Sequence, residues 1–234
     1  MTSSPARSAA IRQALSVSVA TGLYGISFGA LSVTAGLSVL QTQVLSLLMF
    51  TGGSQFAFIG VIGAGGGAAS AIATSGLLGV RNGLYGIQLG PLLAYRGWKK
   101  VVAAHVTIDE STAVATAQKD HDVQRAGFWW AGLGVFVCWN ALTFVGALAG
   151  NALGDPKAWG LDAAAAAAFL GLLWPRLASR SAQACAAFAL VIACALVPFT
   201  PAGVPILCAA VAAIVVGMWE SRRGPDANTP VEAT

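Results

Sequence analysis

Charge is what this sequence has least of. Only 9% of its 234 residues are Asp, Glu, Lys or Arg, against about 25% in a soluble domain. From Gln13 to Val80 there is no charged residue at all. With 56% hydrophobic residues and a mean hydropathy of +0.73, these runs are too long and too numerous for the core of a soluble protein. The solvent they imply is a lipid bilayer. At roughly 20 residues per crossing there is room for about six to eight spans and no separate soluble domain. The sequence therefore predicts an all-α, polytopic integral membrane helix bundle, with broken or re-entrant helices among its transmembrane segments.

Other scarcities exclude further classes. The four cysteines (Cys138, Cys185, Cys194, Cys208) lie in apolar runs without close pairing and read as small hydrophobes in helices. The two histidines, His105 and His121, are far from them in sequence. No metal-ligand spacing results, and neither a metal nor a cofactor is expected. Gly63-Ala64-Gly65-Gly66-Gly67 is not followed by Gly-Lys-Ser/Thr, so it is a flexible turn and not a nucleotide-binding loop. The net charge of +4 sits in short loops and ends, where it reports topology and not nucleic-acid binding. No Ser/His/Asp set appears in the spans, so an enzyme is not expected.

What is present follows in chain order. Arg7 and Arg12 precede an apolar run too long for a cleaved signal peptide and read as a cytoplasmic anchor. The first span, about Ala14 to Leu37, carries Gly25 and Gly29 in GxxxG spacing, a close-packing signal in lipid. Gln41-Thr42-Gln43 reads as a short polar turn. The second span, Val44 to Ile62, is centred on Gly52-Gly53-Ser54-Gln55. Two glycines in mid-helix favour unwinding at about 1 kcal/mol each relative to Ala, and broken helices at mid-membrane are how transporters hold polar substrates.

Ala68 to Tyr95 is about 28 residues, long for one crossing and short for two. Its middle is Arg81-Asn82-Gly83, an arginine and an asparagine within apolar, glycine-rich sequence. A cation at that depth costs about 2.5–3.5 kcal/mol on insertion scales, so a partner, a cavity or a substrate must offset it. Two topologies compete. In one, this segment crosses once and Arg96, Lys99 and Lys100 face outward. In the other, it is a re-entrant or broken pair of half-helices and those cations return inside. Val101 to Ala117 is interrupted by Asp109-Glu110, which, with the charge pattern, favours the second. The acidic pair is either a solvated helix start, with Thr107 and Glu110 in capping-box spacing, or a functional pair. A carboxylate in a low-dielectric site can carry a proton or pair with Arg81.

The second half is more regular. Phe128 to Gly150 is a span with Gly146 and Gly150 in GxxxG spacing and Trp129-Trp130 at its entry. Gly154-Asp155-Pro156 marks a turn. Asp162 opens an alanine-rich span that ends near Trp174. Two more spans, Ala182 to Val197 and Val204 to Trp219, close the bundle. Arg222 and Arg223 place the C-terminus inside; counting back puts Arg176, Arg180, Lys119 and Arg125 inside and Asn151 to Asp162 outside. Tyr24-Gly25 and Trp159-Gly160 form an echo too thin to establish an inverted repeat.

The chain resembles the AzlC family of branched-chain amino acid exporters over Ala14 to about Arg223. The resemblance rests on Gly25-Ile26-Ser27-Phe28-Gly29 with Ala35-Gly36-Leu37-Ser38, on Phe50-Thr51-Gly52-Gly53-Ser54-Gln55-Phe56, on Arg81-Asn82-Gly83-Leu84-Tyr85-Gly86, on Ile108-Asp109-Glu110-Ser111, and on Trp159-Gly160-Leu161-Asp162. Gly79 and Ile108 stand where the family often has Asn and Thr. The resemblance implies export of valine, leucine or isoleucine across the cytoplasmic membrane and a small AzlD-like membrane subunit.

The expectation is a secondary transporter subunit without ATP drive. Residues 1–13 form a cytoplasmic tail, 14–220 a single transmembrane transporter domain, and 221–234 a disordered cytoplasmic tail. The expected substrate-binding residues are Arg81, Asn82, Gln55, Ser54, Gly52 and Gly53. Arg81 would meet the carboxylate of a small amino acid. Asp109 and Glu110 would meet its ammonium, couple to protons, or pair with Arg81. The alternative is a structural or assembly subunit that scaffolds a partner transporter, with Arg81 locked to the acidic pair.

Overall fold

A computed structural model describes residues 5–152, 170–171, 173–174 and 177–223. Trp159-Gly160-Leu161-Asp162, most of the alanine-rich span and the tail from 224 onward lie outside them. Among the described residues every regular element is a helix: α1 (Pro5–Thr34), α2 (Val39–Leu48), α3 (Gly52–Gly63), α4 (Ala68–Leu93), α5 (Trp98–His105), α6 (Asp109–Thr116), α7 (His121–Ala152), α8 (Arg180–Leu196) and α9 (Val204–Arg223). By length and composition α1 and α7 are apolar enough to cross a membrane. At 1.5 Å per residue they are about 45 and 48 Å long, beyond the ~30 Å hydrocarbon core.

α1 and α7 run parallel and form the spine. Ser18 lies beside Gly134, Gly22 beside Cys138, Gly25 beside Trp139 and Thr143, and Ala30 beside Gly150. The GxxxG pairs interlock as the close-packing reading requires. A Cβ on Gly25 would sit 2.7 Å from the Trp139 carbonyl oxygen, and one on Gly150 would sit 2.9 Å from the Ala30 Cα. Gly29 and Gly146 are closed off by Thr143 and Ile26 backbone in the same way. Phe28, Phe56 and Trp139 join this spine to α3 as an aromatic cluster, with Phe28 stacked on Trp139 at 5.9 Å.

The Val44–Ile62 span is two helices. Gln41-Thr42-Gln43 is not a turn but the first part of α2. Ser38 Oγ accepts from the Gln41 N–H, and the Gln41 side chain accepts from the Ser38 N–H, so a capping box starts the helix there. The chain unwinds at Met49-Phe50-Thr51 and resumes as α3 at Gly52. The glycines are therefore the first residues after the break and not its centre. Both ends of this unit lie at the C-terminal end of α1, since Ser32 Oγ is 2.8 Å from Thr42 Oγ1 and Gly63 packs on Ala35. Its tip reaches mid-α7, where the Phe50 ring meets Phe136 at 5.0 Å. α2 and α3 are thus a hairpin that enters from one end and returns to it.

α5 and α6 form the second hairpin, entering from the opposite end. Leu92 carbonyl oxygen accepts from Arg125 Nε at 3.3 Å, and Tyr95 Oη accepts from Trp129 Nε1 at 2.8 Å. The returning helix α6 ends near the same level, where Val114 packs on Gly127, and Gln118 bonds to Gln124 and Gln13. Its tip also reaches mid-α7: His105 faces Phe136 at 5.6 Å and Phe50 at 6.0 Å. The two tips meet there.

α4 joins the two ends and corrects one expectation. It is continuous from Ala68 to Leu93, about 39 Å, and is not broken at Arg81-Asn82-Gly83. In lipid every backbone group must be satisfied internally, and a helical glycine costs only about 1 kcal/mol, so glycine alone does not open it. Between Ala68 and Ala117 the chain turns back in α5–α6 instead. Chain order is therefore long helix, hairpin, long helix, hairpin, long helix, with the hairpins entering from opposite ends. This inverted arrangement arises from topology; Tyr24-Gly25 lies in mid-α1, not at a helix start. Arg12, Arg96, Lys99, Lys100, Lys119 and Arg125 all belong to the end where α7 begins. The connections at the other end among the described residues (35–38, 64–67 and 197–203) carry no Lys or Arg.

Candidate functional site

The middle of α4 meets the two hairpins at Arg81. Its Nη1 donates to Asp109 Oδ2 at 2.8 Å, and this is the one ion pair among the described residues that joins two helices at mid-depth. The side chains remain 31% and 26% exposed, so the pair is reachable and not sealed. Nη2 points the other way, toward α3, and a Cβ on Gly53 would lie 3.0 Å from it.

Asp109 is there because α6 starts there. Ile108 is the residue before the first turn, and Ser111 Oγ accepts from the Ile108 N–H at 3.0 Å while donating to Val106 carbonyl oxygen at 2.8 Å. The expected cap, Thr107 with Glu110, is not used: Thr107 Oγ1 donates to Ala103 carbonyl oxygen at 2.7 Å. Asp109 and Glu110 stand in the first turn, where the helix dipole favours negative charge. Glu110 turns to α1, and its Oε1 accepts from Thr21 Oγ1 at 3.4 Å.

The first turn of α3 faces α4. Thr51 precedes it but makes no side-chain cap. Ser54 is buried at 1% exposure with its Oγ unpartnered, and it lies opposite Gly79, whose Cβ would stand 3.6 Å away. Gly52 abuts the Trp139 ring, 3.4 Å from the position of an added Cβ.

The expected site residues therefore divide. Arg81, Gly53, Ser54 and Asp109 converge, with Glu110 adjacent. Gln55 turns into its own hairpin, where Nε2 donates to Ser46 carbonyl oxygen at 3.3 Å. Asn82 has a buried Oδ1 without a hydrogen bond, and no bond joins it to the other site residues. Two residues were not foreseen: Thr21, and Trp139, whose buried Nε1 has no partner. Thr21 lies four residues before Gly25, the one sequence hint that it shares the α1 packing face.

A helix bundle with two opposed hairpins and a charged pair at their meeting point defines a helical membrane protein with a polar centre. The AzlC family pattern, described as AzlC protein, matches residues 16–153 of the 234, more than half of the chain. The protein belongs to the AzlC family, which is associated with transport. The match runs from within α1 to the end of α7 and stops before Trp159, so it is narrower than the resemblance drawn from motifs. No curated protein and no solved structure matches the chain.

Proposed function

We propose that this chain is the large subunit of a secondary transporter that exports small apolar amino acids, of the valine, leucine and isoleucine class, with a small AzlD-like membrane partner. One observation carries the reading: the partly exposed Arg81–Asp109 pair at 2.8 Å, held where two helix breaks meet. Discontinuous helices whose ends converge at mid-membrane are the usual means of holding a polar substrate and its coupling ion there. A zwitterionic amino acid needs a cation for its carboxylate and an anion for its ammonium. Arg81, with Gly53 and Ser54 beside it, serves the first. Asp109 and Glu110 serve the second or carry protons. The location is the cytoplasmic membrane, and the cation-rich end faces the cytoplasm by the positive-inside rule, which puts both termini inside.

The test is efflux of valine and leucine from cells with and without this chain and its small partner. Arg81→Ala abolishes efflux while the protein still inserts; unchanged efflux would sink the site assignment. The closed state of the ion pair also favours the structural reading, in which it locks α4 to α6. Exchanging the two residues (Arg81→Asp with Asp109→Arg) separates them, because only a structural lock recovers transport in the double variant.

A further inference from the structure

α3 begins in the interior of the protein, and the start of a helix leaves N–H groups without helical partners. Here the first intrahelical bond to be made is from the Gln55 N–H to the Thr51 carbonyl oxygen at 3.0 Å. The N–H groups of Gly52, Gly53 and Ser54 therefore have no acceptor within the helix. The usual remedy is a side-chain cap. Thr51 does not supply one, and its Oγ1 is itself buried and unpartnered. Ser54 adds a second independent sign. Its hydroxyl is 99% removed from solvent, on the same turn, and bonds to nothing. Gly79 lies across from it and offers no side chain; a Cβ there would stand 3.6 Å from the Ser54 Oγ.

The third contributor is Arg81. Nη1 is committed to Asp109, whereas Nη2 has no hydrogen bond among the described residues and lies 3.0 Å from where a Gly53 side chain would begin. Any residue larger than glycine at 53 would displace it. Donors without a hydrogen-bond partner among the described residues thus come together from α3 and α4: backbone N–H groups, the Ser54 hydroxyl and the Arg81 guanidinium, whose Nε is buried and unpartnered and whose Nη2 lies toward Gly53. Such a set binds an anion. Asp109 already balances the formal charge of Arg81, so what remains is the partial charge of a helix start. That suits one negative charge spread over two oxygens better than a dianion.

We infer that the first turn of α3, with the Ser54 hydroxyl and Nη2 of Arg81, is the seat of the substrate carboxylate, and that the Arg81–Asp109 pair stays closed while it binds. This rests on the transporter reading given above. Asp109 is then a positioning residue that aims the guanidinium.

The experiment is transport by the full chain with its small partner, using L-leucine as substrate and leucinamide, which lacks the carboxylate, as competitor. Leucinamide competes at least tenfold more weakly than unlabelled leucine in the unmodified protein. Ser54→Ala raises KM for leucine about tenfold, the equivalent of about 1.4 kcal/mol, with the maximal rate within twofold, and leaves inhibition by leucinamide unchanged. Arg81→Lys, which keeps the charge for Asp109 but has no second nitrogen, shows the same pattern more strongly. Equal competition by leucinamide in the unmodified protein overturns the seat without any variant having to fold. So does an unchanged KM in Ser54→Ala. Absence of leucine transport in the unmodified complex overturns the transporter reading, and the seat with it.

Discussion

Arg81 Nη1 and Asp109 Oδ2 stand 2.8 Å apart, joining the middle of α4 to the first residue of α6. Removing one partner of such a pair leaves an uncompensated charge, which costs about 3–5 kcal/mol when buried. At 26–31% exposure the loss should be smaller, about 1–3 kcal/mol after discounting for solvent. Asp109→Asn should therefore lower the melting temperature in detergent. Arg81→Gln with Asp109→Asn should recover most of that loss while efflux stays absent. Recovery of efflux in this neutral pair would show that the charges serve the fold alone.

The α1–α7 spine gives a sharper stability test. Gly25, Gly29, Gly146 and Gly150 lie where backbone meets backbone, and a methyl group at any of them has no room. Gly146→Ala should destabilise by about 1–3 kcal/mol through overpacking, seen as a lower melting temperature. Gly76→Ala is the control, since nothing lies within 4 Å of its Cβ position. It should be neutral or stabilise by up to about 1 kcal/mol through helix propensity. Equal losses in both would mean that α1 and α7 do not pack as described.

Much of this was legible in the sequence, and the limits have physical causes. GxxxG spacing identified the spine because small residues at i and i+4 share a helix face. The break near Gly52-Gly53 was legible because glycine weakens helices, yet its position was shifted. Ser38 and Gln41 form a capping box that starts α2 early, so unwinding falls on Met49 to Thr51. Arg81 and Asp109 were each visible as costly charges in apolar sequence, but Glu110 was an equally good partner on paper. The choice between them depends on helix phase, which Ser111 sets by bonding back to Ile108. Gly83 suggested a break in α4 that the structure does not have, because a glycine that packs against nothing gives the backbone no reason to leave the helix. Thr21 was invisible, since a threonine in an apolar helix is an ordinary packing residue until a carboxylate from a segment 89 residues away reaches it.

The opposed hairpins predict a labelling pattern. In a cysteine-free background, Lys99→Cys and Arg12→Cys should react with a membrane-impermeant maleimide from the same side, the cytoplasmic one. Gly65→Cys, in the loop between α3 and α4, should react only from the other. Labelling of Lys99→Cys from outside would mean that α5 and α6 cross the membrane in series and do not return. The result would also overturn the assignment of all the cations to one face.

Glu110 is the acidic group at the centre that has no cation within salt-bridge distance among the described residues. Arg81 across from it is held by Asp109, and the Glu110 carboxylate accepts from the Thr21 hydroxyl at 3.4 Å and from its own backbone N–H. The titratable or charged groups that face it are Asp109 on the same helix and Arg81 from α4; α1 contributes Thr21, which does not titrate. A carboxylate at that depth without a counter-ion must gain a proton or a cationic ligand at some stage of a transport cycle. Glu110→Gln removes the exchangeable proton and keeps the shape. In proteoliposomes it should abolish net leucine movement driven by a pH gradient, by about 10-fold or more on the scale of a lost acid–base group, while leucine–leucine exchange continues. Loss of both activities would assign Glu110 to the substrate's ammonium instead. Retention of both would remove it from the mechanism.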